Sequence, residues 1–204
     1  MQHCVSWFEG LDGMRLFYQS WSPDELPQAV VITVHGLGSH SGLFAPATDY
    51  LVEQGYVVYG FDLRGHGRSP GQRGHINHWT EFREDLRRFI QRIRDKHPVC
   101  PCFLWGHSLG GTIALDYTLR SPESIAGLIV TAPALNGVKV PLCKRWLGRL
   151  LSRILPQFSL RVGLKKHPIL ADPTLQLLYE QDPLRHEYGS ARLATEFFTT
   201  ADWI

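Results

Sequence analysis

The residues best suited to do chemistry lie in the glycine-flanked segment GHSLG, residues 106–110. An apolar, strand-like run precedes this segment and a helical pattern follows it. A serine in a tight strand-to-helix turn needs neighbours two residues away that lack side chains, because otherwise the backbones collide. Such a turn presents the hydroxyl beside the unpaired N–H groups of a helix N-terminus, which stabilise an oxyanion. We therefore predict that Ser108 is a nucleophile and that Gly106 and Gly110 permit the turn.

A second glycine-rich segment, HGLG at residues 35–38, follows another apolar run. In enzymes that carry a nucleophilic serine in such a strand-to-helix turn, the loop after an earlier parallel strand supplies the second half of the oxyanion hole. Glycines there are expected to let the backbone approach the substrate closely. We predict that the backbone N–H groups of Leu37 and Leu109 are the two oxyanion donors.

A serine nucleophile also needs a histidine base and an acid that orients it. The histidines after Ser108 are His167 and His186, and both fall in or beside a segment that differs from the core. We expect neither to be the base. The aspartates after Ser108 are predicted to lie in helices or turns; they are Asp116, Asp172, Asp182 and Asp202.

Two further polar residues near these motifs are predicted to have other roles. Asp62 precedes the nucleophile, whereas the hydrolase triad runs serine, acid, histidine along the chain. We expect its carboxylate to accept hydrogen bonds within its own glycine-rich loop. His107 adjoins Ser108 but is expected to point elsewhere and to pack.

The elements that must position these residues are predicted from hydrophobic patterning. Residues 5–8 and 14–21 read as an antiparallel hairpin around a turn at residues 11–13. Apolar runs without polar alternation predict buried parallel strands, and a long amphipathic helix separates two of them. The strands are predicted at residues 29–34, 56–61, 102–105 and 126–131, and the helix at residues 78–97. This order indicates an open α/β sheet.

Residues 134–171 differ from the rest because they hold eight lysines and arginines and no acidic residue. Their aliphatic residues recur at helical spacing and predict an inserted helical cap. The stripe contains Leu142, Trp146, Leu147, Leu150, Leu151, Ile154 and Leu155, with Arg145, Arg149, Ser152 and Arg153 on the opposite side. Two interpretations stay open: the stripe faces lipid and substrate, or it packs on the core as in an ordinary helix.

Three motifs in order also carry a resemblance to a known family. They are HGLGSHSG at 35–42, DLRGHGRSPGQRGH at 62–75 and GHSLGG at 106–111. With them the chain resembles the monoacylglycerol lipases and lysophospholipases of the α/β-hydrolase fold. The resemblance implies a serine esterase that acts on single-chain acyl lipids, with Ser108 as nucleophile, Leu37 and Leu109 in the oxyanion hole and a lipid-facing lid near residues 134–185.

The resemblance also sets expectations for domain organisation. We expect a core at residues 1–133, a cap or lid at 134–185 and a return to the core at 186–204. The family carries its acid and base on loops after two further strands, and the sequence has no counterpart of these strands. The final helical segment lacks a glycine or basic cap. We therefore expect a fragment or shortened form, and no turnover by these 204 residues alone.

Composition limits the remaining possibilities. The 204 residues are 44% hydrophobic and 20% charged, with a net charge of +2, which is typical of one globular domain and excludes disorder. Without a long apolar run or an N-terminal signal, the chain is expected to be cytoplasmic, with peripheral contact to an anionic membrane through the basic cap. Basic residues interleaved with aliphatic ones argue against nucleic-acid binding. No metal-ligand or cofactor motif is visible, so we expect neither group.

Three functions follow from these observations. The first is hydrolysis of monoacylglycerol or lysophospholipid esters through an acyl-enzyme on Ser108. The second is binding of acyl lipids by a truncated form that lacks the base. The third is hydrolysis of small esters or peptides on the same fold, because a fold by itself does not define the substrate.

Overall fold

The computed structural model describes residues 1–122, 125–135, 141–162 and 173–204. Its centre is a six-stranded sheet formed by β1 Gln2–Glu9, β2 Arg15–Ser22, β3 Ala29–Val34, β4 Tyr56–Phe61, β5 Cys102–His107 and β6 Gly127–Thr131. The spatial order is β1-β2-β4-β3-β5-β6. β2 is antiparallel to β1 and β4, and the other three pairs are parallel. The predicted mostly parallel sheet with an N-terminal hairpin is confirmed.

The central strands are apolar at almost every position because both faces of the sheet are covered. Every residue of β3 is buried. A large hydrophobic cluster lies between one face and two helices, α2 Trp79–Lys96 and α3 Leu109–Arg120. A smaller cluster lies on the other face, where α1 Ala45–Glu53 contributes Val52. The sequence patterning did not locate α1, whose nine residues carry a weak apolar stripe.

The predicted helix at residues 78–97 is α2, with His78 and His97 as its flanking caps. Its predicted apolar stripe is buried in the core; it contains Trp79, Phe82, Leu86, Phe89, Ile90 and Ile93. The aromatic ring of Phe89 lies 4.8 Å from the rings of both Phe8 and Phe61. Helix and hairpin therefore share one core.

The remaining elements follow β6 in the chain. They are α4 Leu142–Ile154, β7 Ser159–Arg161, α5 Pro173–Gln181, β8 Tyr188–Ser190 and α6 Ala191–Trp203. β7 and β8 form a small antiparallel pair that the sequence did not predict. Their pairing crosses the predicted boundary between residues 185 and 186, so the division into cap and returning segment stays a prediction.

α6 contacts the N-terminus of α2 and the C-terminal turn of α3. A Glu196 carboxylate oxygen accepts the Trp79 N–H at the N-terminus of α2, 2.8 Å away. The guanidinium of Arg120, in the last turn of α3, lies 3.9 Å from the centre of the Trp203 ring. Leu193 is buried in the main cluster. These contacts place α6 against the body of the sheet domain.

The strand register brings the two predicted motif loops together. β3 and β5 are adjacent and parallel, and Val34 pairs with Gly106. The loop after β3 and the turn after β5 therefore leave the sheet at the same edge. No helix within the described ranges is long and apolar enough to cross a membrane.

Candidate active site

Ser108 occupies a sharp turn between β5 and α3. Its backbone has φ 53° and ψ −120°, a conformation that is rare for a residue with a side chain. The turn is anchored because the Ser108 N–H donates to the Thr131 carbonyl at 3.0 Å. The Ser108 carbonyl in turn accepts from Thr112 N–H and Ala134 N–H. Hydrogen bonds from three sides thus stabilise a strained position.

The two glycines of the turn are needed for close backbone packing. A Cβ at Gly106 would collide with the Gly110 carbonyl, and a Cβ at Gly110 would collide with the Val34 carbonyl. The first contact lets the strand reverse tightly into α3, and the second lets α3 pack on β3. This is the collision that the GHSLG spacing led us to expect.

The loop after β3 lies directly against the serine. A Cβ at Gly36 would be 3.1 Å from the Ser108 Cβ and 3.5 Å from its Oγ. Within the described ranges, the N–H groups of Leu37 and Leu109 have no hydrogen-bond acceptor. Two free donors on the elements that flank a serine are what an oxyanion hole requires. Their role in binding an oxyanion stays a prediction.

Gly38 has a different neighbour from the one we expected. It has φ +68°, and a Cβ there would collide with the carbonyl oxygen of His186. Its backbone therefore approaches residues 182–190, which we call the cap-return segment, rather than an open substrate position. Gly36 provides the close approach to Ser108.

The histidines near Ser108 are engaged elsewhere. Within the described ranges, no side chain hydrogen-bonds the Ser108 hydroxyl. His107 points away as predicted, but it is exposed and hydrogen-bonds Thr131 Oγ1 at 3.0 Å instead of packing. The Nδ1 of His186 accepts the Tyr188 N–H. The exclusion of His186 as the base stays a prediction. His167 lies outside the described residues.

A cluster of three histidines lies beneath the loop after β3. The His66 ring lies 5.4 Å from that of His35 and 4.6 Å from that of His186. Burial lowers the pKa of His35 to about 3 and that of His186 to about 4. Burial also holds the pKa of His66 well below its ordinary value. The cluster is therefore uncharged near neutral pH. Neither these histidines nor any other group of three or more histidine, cysteine or acidic side chains among the described residues has the arrangement of a metal site.

Two buried carboxylates, Asp62 and Asp116, and the exposed carboxylate of Asp202 stabilise the scaffold. Asp62 accepts hydrogen bonds from the N–H of Arg68 in its own loop, as predicted, and also from the N–H and hydroxyl of Ser41. Asp116 lies within α3 and accepts from Arg83 and Arg120. Asp202 pairs with Arg145 on α4. Asp172 lies outside the described residues.

Comparison with family models shows which protein family the chain belongs to. The family model for serine aminopeptidases, S33, matches residues 25–204. The chain belongs to this family. This match, together with the lipase relatives and solved structures described next, confirms the predicted membership of the lipase-like serine hydrolases with an α/β-hydrolase fold.

Relatives within this serine hydrolase family include several lipases. A monoacylglycerol lipase from Mycolicibacterium smegmatis is 33% identical over 182 residues, which are 88% of this chain and 64% of that protein. Human monoglyceride lipase is 30% identical over 85% of this chain and 57% of its own length. The chain thus spans less than two thirds of each of these two relatives.

Solved structures of the family superpose well on the chain. The Paleococcus ferrophilus monoacylglycerol lipase has a TM-score of 0.81 and 33% identity over 93% of this chain and 71% of that chain. A soluble variant of Saccharomyces cerevisiae monoglyceride lipase, in complex with a substrate analogue, also has a TM-score of 0.81, with 26% identity. The superposition covers 96% of this chain and 67% of the yeast protein.

α4 has its apolar side turned outward. We define the apolar face of α4 as Trp146, Leu147, Leu150 and Ile154, whose exposed fractions are 67%, 59%, 39% and 66%. Leu151 is half-buried, and the side chain of Leu142 lies outside the described residues. Ser152 on the opposite side is buried. The interpretation that this stripe packs on the core is therefore wrong for the four residues of the face.

A contact between the cap-return segment and the loop after β3 was missed by the sequence reasoning. His40 Nε2 and Asp182 Oδ2 lie 2.6 Å apart, although 142 positions separate them. Burial opposes ionisation of Asp182, but hydrogen bonds from His40 and from the Leu184 N–H outweigh it and hold the pKa of the carboxyl below its ordinary value. Asp182-Pro183 carries a local turn signal, and nothing in that signal identifies a distant histidine.

Proposed function

We propose that this chain carries the nucleophile and oxyanion hole of a serine esterase that hydrolyses monoacylglycerol or a related single-chain acyl ester. The observation that carries the proposal is Ser108 in its strained turn, with Gly36 against it and the Leu37 and Leu109 N–H groups free. The lipase relatives support the substrate class.

The proposed reaction has two halves. Ser108 Oγ attacks the ester carbonyl carbon and passes its proton to a histidine base, while the two N–H groups bind the oxyanion. The tetrahedral intermediate collapses, and glycerol leaves with the proton from the histidine. Water then attacks the acyl-enzyme by the same route and releases the fatty acid. Within the described ranges, no histidine side chain hydrogen-bonds the Ser108 hydroxyl.

Sequencing the transcript beyond the codon for Ile204 tests whether the protein contains a histidine base and its acid. An Asp followed by a His on two further strands would supply the acid and base in the order of the hydrolase triad. An immediate stop codon would contradict hydrolysis by this product. It would favour the acyl-lipid-binding alternative, whose own test is saturable binding of fatty acid without turnover.

Replacement of Ser108 in the full-length protein tests the mechanism. We expect Ser108→Ala to lower kcat for a monoacylglycerol by about 10⁴-fold or more, because catalysis loses its covalent step. Hydrolysis is measured by release of fatty acid, with short-chain esters and amino-acyl amides as comparison substrates. Turnover that survives this substitution would rule out the mechanism, and a preference for the comparison substrates would favour the small-ester or peptidase alternative.

We propose further that residues 134–185 form a cap whose apolar face contacts an anionic membrane. The four residues of the apolar face are exposed, and the cations Arg149 and Arg153 lie beside them on the same helix. An amphipathic helix of this kind binds interfaces through apolar burial and attraction to anionic lipid. Co-sedimentation with phosphatidylglycerol vesicles measures this contact.

A further inference from the structure

The loop that carries Leu37 is held by the cap-return segment as well as by the core. The N–H of His186 donates to the Gly38 carbonyl at 3.1 Å. The N–H of Ser190 donates to the Gly74 carbonyl at 2.9 Å in the neighbouring loop. The same segment therefore contacts the loops that follow β3 and β4.

Both loops accept this segment through glycines in the left-handed region. Gly38 has φ +68° and Gly74 has φ +64°. A Cβ at Gly38 would collide with the His186 carbonyl, and a Cβ at Gly74 would collide with the Tyr188 carbonyl. The close fit at two separate positions shows that these loops are shaped to receive the segment.

The side chain of His40 links the two parts. Its Nδ1 accepts the Gly42 N–H at 3.2 Å, so the ring proton is on Nε2. Nε2–H donates to Asp182 Oδ2, and Asp182 Oδ1 accepts the Leu184 N–H at 2.9 Å. His40 is 6% exposed, so water competes little for this hydrogen bond.

We propose that His40 is a positioning residue: through Asp182 it fixes the loop after β3 against the cap-return segment and so holds the Leu37 N–H in the oxyanion hole. The role rests on the proposed esterase function. Leu37 is three residues from His40, in a loop that is also held by β3, by the bond from His186 N–H to Gly38 and by the bonds from Ser41 to Asp62. Loss of the His40 link removes the side-chain anchor between Gly38 and Ser41, and small displacements of an oxyanion donor are costly.

Two substitutions separate the two hydrogen bonds of the imidazole. His40→Asn places an amide oxygen near the position of Nδ1, which preserves the bond from Gly42 N–H but is too short to reach Asp182. His40→Gln places an amide N–H near the position of Nε2, which preserves the donor to Asp182 and loses the acceptor. We expect His40→Asn to lower kcat by about 10- to 100-fold with KM within about threefold. We expect His40→Gln to stay within about threefold of the wild-type kcat.

Further variants control for folding and for cap attachment in general. Asp182→Ala removes both acceptor oxygens, so it breaks the link from the other partner and leaves residues 35–42 unaltered. Its kcat should fall like that of His40→Asn. Arg145→Gln removes a different attachment, the pair between α4 and Asp202. It should leave kcat within about twofold. Amide hydrogen exchange of residues 36–41 should accelerate in His40→Asn and not in His40→Gln, whereas the Gly42 amide, which His40 Nδ1 accepts, should accelerate only in His40→Gln.

The outcomes distinguish this proposal from the function on which it rests. A full-length wild-type protein without Ser108-dependent turnover would overturn the proposed esterase. Ser108-dependent turnover with an equal loss in His40→Asn and His40→Gln, or with a change confined to KM, would overturn the positioning role alone. An undiminished kcat in Asp182→Ala would also overturn it.

Discussion

The nucleophile turn and α4 differ in how the sequence pattern relates to packing. At the turn, the small residues Gly106 and Gly110 lie where backbones touch. In α4, the apolar face is exposed, while Arg145 and Ser152 face α6. The Arg145 guanidinium lies 5.1 Å from the centre of the Phe198 ring and pairs with Asp202. Amphipathic periodicity thus located the helix but not the side by which it attaches.

The largest expected effect on the free energy of unfolding comes from replacing one glycine in each region. Gly110→Ala forces a methyl group into the backbone of β3, so we expect a loss of more than about 5 kcal/mol, enough to leave the chain largely unfolded. Gly148→Ala in α4 meets no atom within 4 Å and should stabilise by about 1 kcal/mol through helix propensity. Urea unfolding followed by circular dichroism measures both. A folded Gly110→Ala protein of wild-type stability would contradict the packing at the turn.

Acid should affect the loops of the core before it affects α4, which contains no histidine. An unfolded histidine titrates near pH 6.5, whereas the pKa of His186 is about 4 and that of His35 about 3. Between these values the unfolded state binds more protons, so the free energy of unfolding decreases as the pH falls below about 6.5. Each histidine contributes a loss of roughly 2 kcal/mol between pH 6.5 and pH 5.

His186→Gln removes one of these titrating groups and provides the control for acid unfolding. Its decrease in the free energy of unfolding between pH 7 and pH 5 should be about 2 kcal/mol smaller than that of the wild-type protein. Urea titrations at pH 7, 6 and 5 give the values. Equal pH slopes for the two proteins would show that His186 takes up its proton at the same pH in the folded and unfolded states, which would contradict the lowered pKa.

The smallest effect on stability is expected at the apolar face of α4. Trp146 is 67% exposed, so Trp146→Glu should change the free energy of unfolding by no more than about 0.5 kcal/mol. The same variant should bind phosphatidylglycerol vesicles more weakly, because it removes apolar area and adds a negative charge. A loss above about 1.5 kcal/mol without lipid would mean that this face is covered in solution, which would remove the contrast with the nucleophile turn.

The parts of the fold that were predictable depend on local patterns. The hairpin, the four parallel strands and α2 follow from runs and periodicities within single segments. α1 and the β7–β8 pair were missed, because a nine-residue helix and two three-residue strands carry too little periodic signal. At the candidate site, Ser108 and its glycines were visible for the same local reason. The contact between His40 and Asp182 was not, because it joins residues 142 positions apart.

The amino-acid sequence by itself determined the strained turn at Ser108 and the identity of its neighbours, because a backbone collision depends on which residues lie two positions away. It also determined that α4 is amphipathic. Only the tertiary structure decided that Gly38 meets His186, that His40 pairs with Asp182 and that the apolar face of α4 points outward. These outcomes depend on which distant surfaces remain to be covered once the sheet has formed, and no local sequence pattern carries that information.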